Sequence, residues 1–148
     1  MLTINYSKDL YIGGAFTGSP RHIARYNGAS LSSLGQGVNR TPHAFATDEN
    51  GDLIAGGYFT SASGIKGTDR IARWNGQKWS AISISSGLHF SVTAILYDSV
   101  NKRIFAGGSA SDSNHISEFD ENDNQPKWTE IYLKAPHHTQ CDENINFG

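Results

Sequence analysis

The densest run of oxygen ligands in the chain is Asp120-Glu121-Asn122-Asp123-Asn124, whose alternating side chains have the spacing with which a loop can surround calcium. That chemistry is incomplete, because Gln125 stands where the turn glycine belongs and Ile131 where a distal bidentate glutamate would close the shell. The run also replaces a short Asn-Gly turn used elsewhere in the chain, so an elongated solvated hairpin tip is the favoured reading. Asp48-Glu49-Asn50-Gly51-Asp52 is likewise read as a hairpin turn before a cation site. His137, His138 and Cys141 could give zinc three ligands, with no evident fourth. They lie in a polar segment, 134–148, expected to be a flexible or partner-docked tail. His22, His43, His89 and His115 do not recur at one place. His22 and His115 precede the same strand in two units, and Arg70 takes that place in another, as a surface position would allow. No Ser-His-Asp arrangement can be assembled, and the Gly-Gly pairs lead into strand residues rather than a helix N-terminus that could hold phosphate. No catalytic residue, metal site or cofactor is expected.

The elements that would have to position such groups are written as a repeat. The first unit reads Leu10-Tyr11-Ile12-Gly13-Gly14-Ala15-Phe16-Thr17, then Ile23-Ala24-Arg25-Tyr26-Asn27-Gly28, then Leu31-Ser32-Ser33-Leu34. The second reads Leu53-Ile54-Ala55-Gly56-Gly57-Tyr58-Phe59-Thr60, then Ile71-Ala72-Arg73-Trp74-Asn75-Gly76, then Trp79-Ser80-Ala81-Ile82. A drifted third keeps Ile104-Phe105-Ala106-Gly107-Gly108, Ile116-Ser117-Glu118-Phe119 and Trp128-Thr129-Glu130-Ile131. Each unit divides into four strands joined by hairpins. In the second they are expected at Ala44 to Asp48, Leu53 to Tyr58, Arg70 to Trp74 and Lys78 to Ile82. Asn50-Gly51, Asn75-Gly76 and Asn27-Gly28 are the turn signals, since both residue types tolerate the positive φ of a type I′ turn. A glycine inside a strand marks a bulge or a close backbone approach, and its recurrence in all three units favours a shared packing need over a ligand site.

Bulk properties agree. The 148 residues include 16 Gly, 4 Pro and 37% hydrophobic residues, a length and content that support one core of short strands and tight turns. The net charge is −2, and Lys and Arg are scattered, so nucleic acid is not an expected partner. No stretch approaches the roughly 18 apolar residues of a membrane span, and no export signal is read at the N-terminus; localisation is otherwise unassigned. The single Cys141 cannot form an internal disulfide. The sequons at Asn5 and Asn39 are what chance supplies in a chain rich in Asn, Ser and Thr.

Two sets of residues are candidates for binding. Arg25 and Arg73 recur at one strand position and could form a partial ring for an acidic partner; the competing reading is a sheet-edge salt bridge. Tyr26, Trp74, Trp79 and Trp128 fall at equivalent places with Phe119 and Leu31. They fill space between layered sheets, or alternatively stack on sugar.

Repeats of about 40 to 50 residues with four strands each are the sequence sign of β-propeller blades. The strings LIAGGYFTSASG…RIARWNGQKWSAI and LYIGGAFTGSP…HIARYNGASLSSL resemble the repeats of kelch-like and cortical-marker-like β-propellers. The resemblance covers roughly residues 2 to 133 and implies an all-β fold of three four-stranded antiparallel blades, at about 2–38, 43–86 and 92–133, followed by the tail. The third unit departs from it at Ser109-Ala110 and Glu118. Three blades are too few to close a ring, so either a truncated chain or association into a six-bladed dimer or a larger protein assembly is expected, with the dimer favoured. A β-trefoil, which closes as a monomer from three four-stranded repeats, is the alternative. The implied role is a non-catalytic protein-binding or structural assembly module, in a setting such as a cell surface or virion; carbohydrate binding through repeated weak sites is the alternative role.

Overall fold

The computed structural model describes residues 2–4, 9–85, 87–110 and 113–131. The tail at 134–148, with His137, His138 and Cys141, and the sequon at Asn5 lie outside these residues. The described chain is all-β, with no helix. Its strands are β1 (Leu2–Ile4), β2 (Leu10–Gly13), β3 (Ile23–Tyr26), β4 (Leu31–Ser33), β5 (Pro42–Thr47), β6 (Leu53–Gly57), β7 (Ile71–Trp74), β8 (Trp79–Ser80), β9 (Ser91–Asp98), β10 (Arg103–Ala110), β11 (Ser113–Asp120) and β12 (Trp128–Glu130). They form three antiparallel sheets in sequence order, β1 to β4, β5 to β8 and β9 to β12. Among the described residues every ladder joins strands of one repeat, apart from an isolated bridge between Val38 and Ala62.

The turns differ in detail from the expected type I′. Gly51 and Gly76 have positive φ, but Asn50 and Asn75 do not. At Asp48 the chain makes a three-residue loop: Gly51 N–H donates to the Asp48 carbonyl, and Asp48 N–H to the Asp52 carbonyl, each at 3.0 Å. This is a type I turn completed by a left-handed glycine. The Asp48 side chain also accepts from the N–H groups of Asn50 and Asp52. At Asn75 the left-handed residue is the first of the two central ones, the position glycine takes in a type II′ turn. Asn75 Oδ1 accepts from the N–H groups of Gln77 and Lys78, and Asn27 does the same for Ala29 and Ser30. Asn27 and Asn75 are there to accept hydrogen bonds, not to adopt positive φ.

The two glycines of the pair in sheet two have separate jobs, and sheets one and three each show one of them. A Cβ on Gly13 would meet Phe45 and Pro42 at 2.7 Å, and one on Gly56 would meet Val92 at 2.5 Å; the first glycine therefore lets the leading strand of the next sheet pack against it. In sheet two the second glycine faces its own sheet's leading strand where that strand bulges, between Pro42 and Ala44. There a Cβ on Gly57 would meet the Thr41 carbonyl oxygen at 2.6 Å. Sheet three repeats the irregularity beside Gly108, where a Cβ would collide with the Ser91 carbonyl oxygen.

Alternation places two hydrophobic faces on sheet two, and both are buried. Leu53, Ala55, Ala72, Trp74 and Trp79 pack with Tyr11, Ile23, Leu34 and Val38 from sheet one and its exit. Ile54, Ile71 and Ala44 pack with Val92, Ile104, Ala106 and Phe119 of sheet three. The leading strands follow one another in space, with β1 against β5 and β5 against β9.

The drift of the third unit has a structural counterpart. In units one and two the chain leaves the sheet after Gly-Gly and returns through a left-handed residue. His22, with φ of 60°, and Arg70, with φ of 67°, are backbone equivalents: each carbonyl accepts from the second glycine, and each N–H donates to the carbonyl of Phe16 or Phe59. Unit three has Ser109-Ala110 in place of the phenylalanine, and β10 and β11 continue as a longer hairpin in which Gly108 lies opposite His115. The expectation of a surface position here is corrected for His22, which is buried and has Nδ1 3.1 Å from the Gly14 carbonyl oxygen. Leaving the sheet turns its ring inward.

Candidate functional site

The recurring arginines sit at the turn end of the sheets, in ion pairs. Arg25 Nε lies 2.9 Å from Asp9 Oδ2 within sheet one. Arg73 reaches the nearly inaccessible Asp48 at 3.5 Å and also pairs with Glu121 at the tip of the β11–β12 hairpin, so it joins sheet two to sheet three. A reciprocal link runs the other way. Glu49, in the β5–β6 turn, pairs with Lys102 and accepts a hydrogen bond from Tyr97 Oη, which also lies 3.0 Å from Glu121 Oε2. Position 118 carries glutamate where the other units have arginine, and Glu118 pairs with Arg103 inside sheet three at 3.8 Å.

These contacts set the local protonation. The Lys102 ammonium first, and then the Tyr97 hydroxyl, lower the Glu49 carboxyl to about 2. Burial, and then hydrogen bonding to the Glu49 and Glu121 carboxylates, push the Tyr97 hydroxyl above the usual tyrosine range. Burial raises the Asp52 carboxyl, with the neighbouring Asp48 charge adding to it and Arg73 opposing. The Asp120 run is a hairpin tip: Asp120 Oδ1 accepts from Asn122 N–H, Asp120 pairs with Arg103 at 3.3 Å, and the Asn122 amide donates to the Asn101 carbonyl.

The aromatic candidates divide by position. Trp79 is 2% exposed, Trp74 is 5% exposed, and their rings meet at 5.4 Å. Neither presents an open face to a ligand here. Trp128 is half-buried against Phe119. Tyr26 is exposed, beside the exposed Leu31, on the outer face of sheet one. That face is apolar and forms a cleft of about 290 Å³ lined by Ile12, Phe16, Pro20, Ala24 and Leu31.

Sheet three has the other open face. By register, Gly13, Gly56 and Gly107 are equivalent and lie opposite Ile23, Ile71 and Ile116. Ile23 and Ile71 are buried at 0% and 1%, whereas Ile116 is 39% exposed and Leu96, on the same face, 63%. A Cβ on Gly107 would meet nothing nearer than the His115 carbonyl oxygen at 3.9 Å. The glycine that admits a neighbouring sheet twice inside the chain has no such neighbour here among the described residues.

Opposite the turn end, around the Gly-Gly pairs, His89, His115 and Glu130 converge, with one potential ligand atom from each within 4.8 Å of the others. Sequence reasoning missed this grouping. The signal was the β11–β12 register, which sets Glu130 opposite Ser117, two residues from His115; His89 lies in the connection between units, where no periodicity points to it. No family model, curated protein or solved structure matches the chain.

Proposed function

We propose that this chain is a non-catalytic structural assembly module, a run of three β-propeller-like blades whose two open faces associate with a second copy of the chain. The observation that carries the reading is the open Gly107 face. Inside the chain, the same glycine position twice admits the leading strand of the next sheet. The face around Gly107 has the side chains that such a contact buries elsewhere, with Leu96, Phe105 and Ile116 in place of Ala46, Ile54 and Ile71. The complementary surface is the outer face of sheet one, with Ile12, Ala24 and Leu31 where sheet two has Ala55, Ala72 and Trp79. Sheet three of one copy on sheet one of another, repeated by a two-fold axis, closes six sheets into a ring and covers both of these apolar faces.

Blades are favoured over a trefoil by pairing. A barrel shared by three repeats needs ladders between strands of different repeats, and the ladders here stay within each repeat. The succession of β1, β5 and β9 also fits leading strands gathered around a common axis.

Sedimentation equilibrium of the full chain over a concentration series tests the assembly. The expected species is a dimer of twice the 16.1 kDa chain mass, reduced to monomer by Leu96→Asp and separately by Leu31→Asp, with unchanged circular dichroism. A monomer at every concentration overturns the reading, as does a dimer indifferent to both substitutions.

A further inference from the structure

We propose that His89, His115 and Glu130 form a binding site for a divalent ion of the zinc class. His89 stands in the bend that leads into β9, His115 in β11 and Glu130 at the end of β12. Two strands of one ladder and the segment entering the same sheet therefore bring the three together, so the site belongs to sheet three alone and does not depend on association between copies.

The geometry suits one ion. The two imidazole centroids are 5.0 Å apart in an edge-to-face arrangement, and about 5 Å is the separation of two rings whose nitrogens share a tetrahedral ion at roughly 2.0–2.1 Å. His115 Nδ1 lies 2.5 Å from Glu130 Oε1, so the imidazole and the carboxylate already face each other, and an ion entering between them would replace this direct contact with one donor atom from each. Two imidazoles and one carboxylate are the donor set of three-ligand zinc sites with an open fourth position. Calcium and magnesium call for oxygen shells instead.

The site is also held in place. Phe90 is buried and stacks on His115, with centroids 5.2 Å apart and planes 13° from parallel. Its backbone neighbour His89 touches the same phenylalanine edge-on. Because His89 is exposed and borders an open cleft with Tyr58, Arg70 and Ser109, an ion reaches the site from solvent without opening the core.

Calorimetric titration of the full chain with zinc at neutral pH tests the proposal. One ion per chain is expected, with His89→Ala and Glu130→Gln each weakening binding by more than about 10-fold, since removal of a ligand should cost at least what loss of an outer partner does. Circular dichroism confirms that each variant is folded; His89, being exposed, is the substitution least able to disturb the sheet. Since His137, His138 and Cys141 could also take zinc, a variant with all three changed to alanine is titrated in parallel and is expected to retain the site. Cobalt in place of zinc should give visible ligand-field bands without a thiolate charge-transfer band. Absence of saturable binding overturns the proposal. So does binding that survives His89→Ala and Glu130→Gln, or that disappears with the triple variant.

Discussion

The indole N–H of Trp79 donates to the Leu34 carbonyl oxygen at 2.8 Å across the boundary between the first two sheets. Trp74, packed against it, has a buried indole N–H with no acceptor among the described residues. Two tryptophans of one cluster thus contribute differently. Trp79→Phe loses a buried hydrogen bond as well as volume, and should destabilise by about 1–3 kcal/mol. Trp74→Phe loses only packing and should cost less. Trp79→Ala should cost about 3–5 kcal/mol. Urea unfolding monitored by circular dichroism orders the three; equal costs for the two phenylalanine variants would remove the hydrogen bond from the account.

Glycine substitutions should sort by what faces them. Gly56→Ala drives a methyl group into Val92 and should cost about 1–3 kcal/mol. Gly107→Ala meets open space, so the folded chain should be unchanged or gain up to about 1 kcal/mol from reduced strand entropy. The same change should weaken the dimer, because the interface proposed there repeats the crowding at Gly56. Parallel unfolding and sedimentation measurements separate the two effects.

The Glu49 and Tyr97 contacts define a pH window. The folded Glu49 carboxyl lies below its ordinary 4.5, at about 2, so its contribution is complete above 4.5 and is lost as pH falls toward 2. Tyr97 is shifted upward from 10, so its contribution is complete below 10 and declines at higher pH. Lys102→Met should bring the Glu49 titration back toward 4.5, read from side-chain carboxyl NMR shifts. A titration unchanged by that substitution would show that Lys102 is not its main cause.

Asp48 joins a turn to an ion pair. Its carboxylate accepts from two backbone N–H groups of the β5–β6 loop and lies beside Arg73. Asp48→Ala should destabilise by about 1–3 kcal/mol, while Asp52→Asn, which removes the like charge facing Asp48, should raise the urea midpoint at pH 7 and have less effect at pH 3. Both are read from denaturant midpoints at the two pH values.

How much of this was legible can be argued from particular positions. The four strands of the second unit could be placed from apolar runs separated by turn signals such as Asn50-Gly51 and Asn75-Gly76, because hairpin pairing is local and its turn residues sit in the chain beside it. The job of the first glycine was half legible. Repetition at 13, 56 and 107 pointed to packing, but Phe45 and Val92, the residues that fill the space, come from the next unit and carry no local mark. The turn type was misassigned because an asparagine that accepts hydrogen bonds looks the same in sequence as one with positive φ. The inward turn of His22 depends on where Phe16 takes the chain, and the meeting of His89 with Glu130 depends on register and on a connection of irregular length. Each is a tertiary relationship between residues that are unremarkable alone.

Sheet two is enclosed on both sides, whereas sheets one and three each have one wet side. Such an array behaves as a row of coupled units, in which opening begins at the ends and the centre is the last to lose its protection. Amide exchange should therefore be slowest along β6 and β7. If further sheets stack on the outer faces, whichever molecule supplies them, the end units acquire the neighbours they lack, and resistance to opening rises with protein concentration rather than staying a property of the single chain.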